Sequence, residues 1–289
     1  MNTEEIKTFV LLSKVKNFTL VAEQMFIAQS TVTNRISELE KEVGKRLFSR
    51  ASKTVALTEE GKIFLKYAER MLELQESSIT EMNSISSYRF NFSVGAINAT
   101  YETYVKPIVD DCLKNSPDVS IKVMLGQSLD LIQHLQDNVL DMVFSSVPWK
   151  KTGFVCNVLD TDRLVLVAKN SPYAERGVTK EELIRLPYLL CSFSMSEIGR
   201  FIHSIFPENH AFKLEVDNSS KLFPFLKEGL GYSFLPYHLV KKELLSGELE
   251  EIPLIDFTAP PVMTYLIHRQ GYDSTEFLKH SPKIIRPLE

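Results

Sequence analysis

A chain of 289 residues with 44% hydrophobic content is too long for one small domain and apolar enough to bury two or three cores. A net charge of −4 argues against indiscriminate coating of nucleic acid, and Cys112, Cys156 and Cys191 are too far apart for a CxxC pair or a zinc site. With no signal-like segment and no apolar run long enough for a membrane span, a reduced cytoplasmic protein without a membrane partner is expected.

Ile6, Phe9, Val10 and Leu12 recur at helical spacing over residues 3–13 and predict a first helix facing a core. From Asn17 to Leu47 the pattern predicts two short helices around a tight turn. Thr19 is the expected cap of the first, Val21, Ala22 and Met25 form its inner face, and Phe26-Ile27-Ala28 makes the turn. The second starts near Gln29 and buries Val32, Ile36, Leu39 and Val43, while Gln29, Ser30, Thr33, Asn34 and Arg35 lie off that stripe near its beginning. This is a helix-turn-helix whose polar first turns can enter a DNA major groove. Gly44 stops the helix. Residues 49–57 alternate enough for a small two-stranded wing, on which Arg50 and Lys53 either reach phosphates or stand as solvated charges. Residues 1–57 hold nine Lys/Arg against six Glu, a local net of +3 that suits sequence-selective binding by a dimer.

Thr58-Glu59-Glu60-Gly61 opens a long helix with acidic residues at the positive end of its dipole, and nothing interrupts it until residue 88. Phe64, Ala68, Met71, Gln75, Ser78, Met82 and Ile85 follow a heptad spacing. Phe64, Ala68, Met71, Met82 and Ile85 are therefore the expected dimer contacts, the alternative being a stripe packed on the protein's own core.

Beyond residue 88 strand and helix patterns alternate in two runs of about a hundred residues each, predicting two α/β lobes with a cleft between them. In such sheets ligands sit beyond the carboxyl ends of strands, against helix N-termini. That rule selects Asn98 and Thr100 after the first strand, Gln127 and Ser128 after the second, and Phe193 and Ser194 as the lip of the second lobe. Each of these also suits an ordinary cap or turn. Cys191 is expected to be a buried, inert thiol.

The run Glu5-Ile6-Lys7-Thr8-Phe9, Asn17-Phe18-Thr19, Ala22-Glu23, Ala28-Gln29-Ser30 to Ile36, Leu39-Glu40, Gly44, Leu47-Phe48, Arg50 and Leu57-Thr58-Glu59-Glu60-Gly61 resembles LysR-type transcriptional regulators. The rest of the chain resembles them in architecture. The resemblance implies a winged helix-turn-helix over 1–58, a linker helix for dimerisation over 59–88, and a two-lobed, periplasmic-binding-protein-like, Rossmann-like effector domain over 89–289. Lobe I would comprise about 89–160 and 264–289, and lobe II about 163–262, with crossings near Asp160–Arg163 and Val262–Thr264.

It also implies base or phosphate contacts by Gln29, Ser30, Thr33 and Asn34 and a basic wing carrying Arg50 and Lys53. Partners would be a dyad-symmetric double-stranded operator, a small-molecule effector, further copies of the chain as dimer or tetramer, and RNA polymerase if the protein activates. Three positions depart from the family pattern. Ala28 stands where a capping serine is common, Ser30 where proline is common, and Asn34 where arginine is frequent.

No GxSxG, HExxH, P-loop or complete GxGxxG occurs, and the histidines show no i, i+4 pairing. No metal, no cofactor and no enzymatic activity are expected. The alternatives are a constitutive regulator whose C-terminal domain serves only assembly, or an α/β enzyme anchored to DNA.

Overall fold

Asn2 opens the first helix of the computed structural model, which describes residues 1–49, 55–84, 88–191 and 197–281. The chain divides into two units, Met1–Ser86 and Ser87–Glu289.

In the first unit, α1 (Thr3–Val15) carries a reciprocal cap: the Glu5 N–H donates to the Asn2 side chain and the Asn2 N–H to the Glu5 carboxylate, both at 2.9 Å. Next comes α2 (Phe18–Gln24), and its cap is Asn17, whose side-chain oxygen accepts from Thr19 and Leu20 N–H at 2.9 and 3.1 Å. The expectation for Thr19 is corrected, because Thr19 is already inside the helix and supplies one of the N–H groups being capped. Phe26 takes the left-handed conformation (φ 55°), and the Ile27 N–H returns to the Ala22 carbonyl at 3.0 Å, closing the turn.

The third helix, α3 (Gln29–Val43), buries Val32, Ile36 and Leu39 and ends at Gly44 with φ 71°. Together with Phe9, Leu12, Val21 and Leu47 these residues form the core of the unit. A two-stranded wing follows, β1 (Phe48–Ser49) antiparallel to β2 (Ala56–Leu57), anchored by the Glu40 carboxylate accepting the Leu47 N–H at 2.7 Å.

The long helix α4 (Glu59–Ser84) lies against the same core. Gly61 is obligatory there, since a Cβ would stand 2.1 Å from the Leu47 carbonyl oxygen. Ala68 is fully buried, and the Phe64 ring meets Phe9 edge-on at 5.1 Å. The expectation of a dimer contact is thus corrected for Ala68, which belongs to the unit's own core, while Phe64 packs against that core and stays partly buried. The exposed apolar face is Ile63, Tyr67, Met71, Leu74 and Met82, with Ile79 beside it. Met71 and Met82 remain on it, and Ile85 lies outside the described residues.

The second unit begins with β3 (Phe90–Ala96) and α5 (Asn98–Thr100), which runs through one wide helical turn at Tyr101–Val105 into α6 (Lys106–Asn115). Then come β4 (Val119–Leu125), α7 (Ser128–Gln136), β5 (Met142–Ser145) and β6 (Phe154–Asp162). The chain next builds β7 (Leu164–Ala168), α8 (Lys180–Arg185), β8 (Leu189–Cys191), α9 (Glu197–Ile205), β9 (Leu214–Val216), a tight turn at Ser219–Leu222, α10 (Phe223–Lys227), β10 (Ser233–Pro236), α11 (Tyr237–Ser246) and β11 (Glu250–Ile252). It closes with β12 (Val262–Arg269) and α12 (Thr275–Leu278).

One sheet has the order β4-β3-β5-β12-β6, with β4 and β5 parallel to β3, and β12 antiparallel to β5 and β6. A second has the order β10-β7-β11, and β8 pairs with β9 in parallel beside it. The chain leaves the first sheet after Asp162 and re-enters it at Val262. Where it leaves, the backbone N–H and Nδ1 of His238 meet the Asp162 carboxylate at 2.9 and 2.7 Å, while the Tyr104 hydroxyl donates to Asp160 at 2.5 Å.

Candidate functional sites

Two places bring chemistry-bearing side chains together, one in each unit. In the first unit Gln29, Ser30, Thr33 and Asn34 are all exposed on the opening turns of α3, joined by Ser37 one turn on. Ala28 offers no side-chain cap, so the first N–H groups of α3 stay available to an incoming acceptor. The Thr33 hydroxyl donates to the Gln29 carbonyl at 3.1 Å, and the Thr19 hydroxyl donates to Gln29 Oε1 at 3.4 Å. Thr19 therefore fixes the amide of a face residue, a role that no local sequence signal discloses because its partner is ten residues away.

Arg35 does not join that face. Its guanidinium lies 3.2 Å from the Glu4 carboxylate and donates to Thr8 Oγ1 at 3.3 Å. Here α1 passes the flank of α3 and supplies a carboxylate and a hydroxyl that hold the side chain. Arg50 and Lys53 lie outside the described residues.

In the second unit a cleft of about 240 Å³ opens at the carboxyl ends of β3, β4, β5, β8 and β9. Asn98, Gln127 and Ser128 line it as the strand-end rule expects. Thr100 does not. It is buried, with its hydroxyl on the Ile97 and Phe144 carbonyls at 3.1 and 3.2 Å, so it fastens α5 to β5. Phe193 and Ser194 lie outside the described residues.

Ser146, Asp217, Asn218 and Ser219 complete the lining and were missed, although the same rule applied to β5 and β9 points to them. The Ser146 N–H donates to Ser128 Oγ at 3.3 Å, tying the start of α7 to the end of β5. Asp130 and Asp217 make the lining acidic, and a neighbouring hollow of about 230 Å³ shares Ser146 and Val147 and adds Glu197, Arg200, Met263 and Tyr265. Cys191 reaches the cleft as a buried thiol, and burial together with the Asp217 charge pushes it up to about 12. A thiol so placed stays protonated and unreactive at neutral pH.

Among the described residues no group of His, Cys, Asp and Glu is arranged to hold a metal ion. No described helix is long and apolar enough to cross a membrane.

Two family models match the chain. Residues 3–62 fit the bacterial regulatory helix-turn-helix protein of the lysR family, and residues 89–280 fit the LysR substrate binding domain. Among named relatives, the HTH-type transcriptional regulator CitR of Bacillus subtilis is 27% identical, with 97% of this chain and 99% of CitR aligned. A probable RuBisCO transcriptional regulator of Thalassiosira pseudonana is also 27% identical, over 95% of this chain and 94% of its own. Among solved structures, CbnR, a LysR family transcriptional regulator, superposes with a TM-score of 0.71 at 18% identity, covering 97% of this chain and 98% of that one.

Proposed function

The chain belongs to the LysR family of bacterial regulatory helix-turn-helix proteins, and on that premise we propose that it is a sequence-specific DNA-binding transcriptional regulator governed by a small molecule bound in the cleft of its α/β unit. One observation carries the reading. The opening turns of α3 present only exposed, neutral, hydrogen-bonding side chains on a helix seated by Val32, Ile36 and Leu39, which is what a helix entering a major groove needs. The uncapped N–H groups at its start serve a phosphate, and Arg50 and Lys53 of the wing serve others.

Residues 1–58 act as the reading domain, 59–88 as the linker and 89–289 as the effector domain. Two chains pair through the exposed α4 face of Ile63, Tyr67, Met71, Leu74 and Met82, placing two reading helices over a dyad-symmetric operator, and pairs associate further into a tetramer. The effector lies against Asn98, Gln127, Ser128 and Ser146, with Phe193 and Ser194 at the lip. A shift of the lobes about the Asp162 and Val262 crossings alters how paired chains bend the operator. The protein works in the cytoplasm, turns over no substrate, and meets RNA polymerase if it activates. The CbnR family member has been solved with its target DNA, and that chain superposes on this one with a TM-score of 0.72 at 17% identity.

The test is retention of fragmented genomic DNA by the purified chain in excess competitor. A few strongly enriched fragments are expected. Uniform retention across the genome would contradict the proposal.

A further inference from the structure

We propose that the opening turns of α3 read adenine·thymine pairs and hold no guanine reader, with Gln29 and Asn34 determining specificity and Thr19 orienting Gln29. The inference rests on the regulator reading above and adds the class of base pair that the protein selects.

In the major groove guanine offers the O6 and N7 acceptors, which a two-pronged arginine or a lysine matches. Adenine offers N7 and the N6 donor, which only a carboxamide matches with both prongs. The side chains exposed on the first turns of α3, Gln29, Ser30, Thr33 and Asn34, are neutral, as is Ser37 one turn on, and the exposed Glu38 beside it is an anion with nothing to donate to guanine. The one cation within these turns, Arg35, is drawn back to Glu4 and Thr8 at 3.2 and 3.3 Å and is only 24% exposed. Lys41 stands in the last turn, beyond the part of the helix that enters a groove.

The carboxamides are prepared to different degrees. Gln29 Oε1 accepts from the Thr19 hydroxyl at 3.4 Å, which selects one rotamer of a long side chain before DNA arrives. A carboxamide oxygen has two lone pairs, so one remains for the adenine N6–H while Nε2 donates to N7. Asn34 makes no side-chain hydrogen bond among the described residues and is exposed, so both its prongs are free. The Thr33 hydroxyl is occupied by the Gln29 carbonyl at 3.1 Å, which leaves its methyl group as the part available to the C5-methyl of thymine.

The experiment selects sites from a randomised duplex library with the full-length chain, then rebuilds the enriched site with single base-pair changes. Half-sites with A·T at the contacted pairs are expected, and one A·T to G·C change there should weaken binding by about five- to a hundredfold. Gln29→Ala and Asn34→Ala should each flatten the preference at one position. Thr19→Val should weaken it only where Gln29→Ala does, and Asn34→Arg should create a preference for guanine at its own position. All these positions are exposed, and Thr19→Ser, which keeps the hydroxyl, should restore what Thr19→Val loses. Enriched half-sites with G·C at the positions sensitive to Gln29 or Asn34 would overturn the inference, as would a preference indifferent to all these substitutions. A library from which nothing is enriched would instead remove the regulator reading itself.

Discussion

Replacing Arg35 by alanine separates an intramolecular tie from a DNA contact. The ion pair to Glu4 is partly exposed, at 24% for Arg35 and 52% for Glu4, so solvent screening limits it to at most about 1 kcal/mol. The hydrogen bond to Thr8 adds about 0.5–1.5 kcal/mol. Loss of both should destabilise the first unit by about 1–2 kcal/mol, roughly 4–8 °C in its melting temperature for each kcal/mol in a unit of this size. Glu4→Gln should account for part of the same loss, and the double variant should cost less than the sum of the singles.

The matching assay on DNA is the salt dependence of binding. A side chain that neutralises a phosphate contributes about 0.9 to the logarithmic slope. Arg35→Ala should leave the slope unchanged and move the affinity by no more than about threefold at constant salt. A slope reduced by about one unit, with melting temperature unchanged, would refute the reasoning and return Arg35 to the DNA.

Further predictions concern the elements around the sites. Gly61→Ala forces a methyl group onto the Leu47 carbonyl and should cost the first unit about 2 kcal/mol or more, seen as a lowered denaturant midpoint. Leu74→Glu with Met71→Glu should lower the sedimenting mass while the helix content is kept. Ala68→Glu should instead unfold the first unit, and equal behaviour of the two variants would reject the division of α4 into core and exposed faces. Cys191 should resist alkylation at pH 8 in the native chain, where a thiol raised to about 12 is about one part in ten thousand ionised; rapid labelling followed by mass spectrometry would show otherwise.

Burial pushes the Asp162 carboxyl up, but the His238 side-chain and backbone donors and the Arg163 backbone donor outweigh it and hold it below the usual carboxylate range. Its stabilisation is therefore complete above its unfolded value of about 4 and lost as pH falls through the folded one. Asp162→Asn should lower stability at neutral pH and reduce its decline below about pH 4, as read by urea unfolding across that range.

The helix-turn-helix was legible because its signals are local: a stripe at Val32, Ile36 and Leu39, a glycine stop at Gly44, and polar residues beside the stripe. What stayed hidden there depended on neighbours. Asn17 and Thr19 are both able caps two residues apart, and only the position where the helix begins decides between them. Arg35 looks like a free surface cation until α1 is placed beside it. Phe64 and Ala68 sit at the border of two apolar stripes, and a heptad count cannot say which stripe the core will take.

In the second unit the strand-end rule found Asn98, Gln127 and Ser128, but Thr100 faces inward one position further along α5. The nine-residue β6 leaves little trace in the sequence, because it is an edge strand whose residues are nearly all half-buried and so call for no alternation of apolar and polar side chains. Asp217 to Ser219 went unread because β9 is only three residues long, too short for a clear strand end.

The central claim is that this chain recognises a particular DNA sequence as a paired molecule. Footprinting on the DNA upstream of its own gene, at moderate salt and with excess competitor, tests it most directly, with Gln29→Ala run alongside. A long, phased protected region with internal dyad symmetry, lost or blurred in the variant, is the predicted result. Protection no stronger on that DNA, or on any retained genomic fragment, than on competitor would contradict the account.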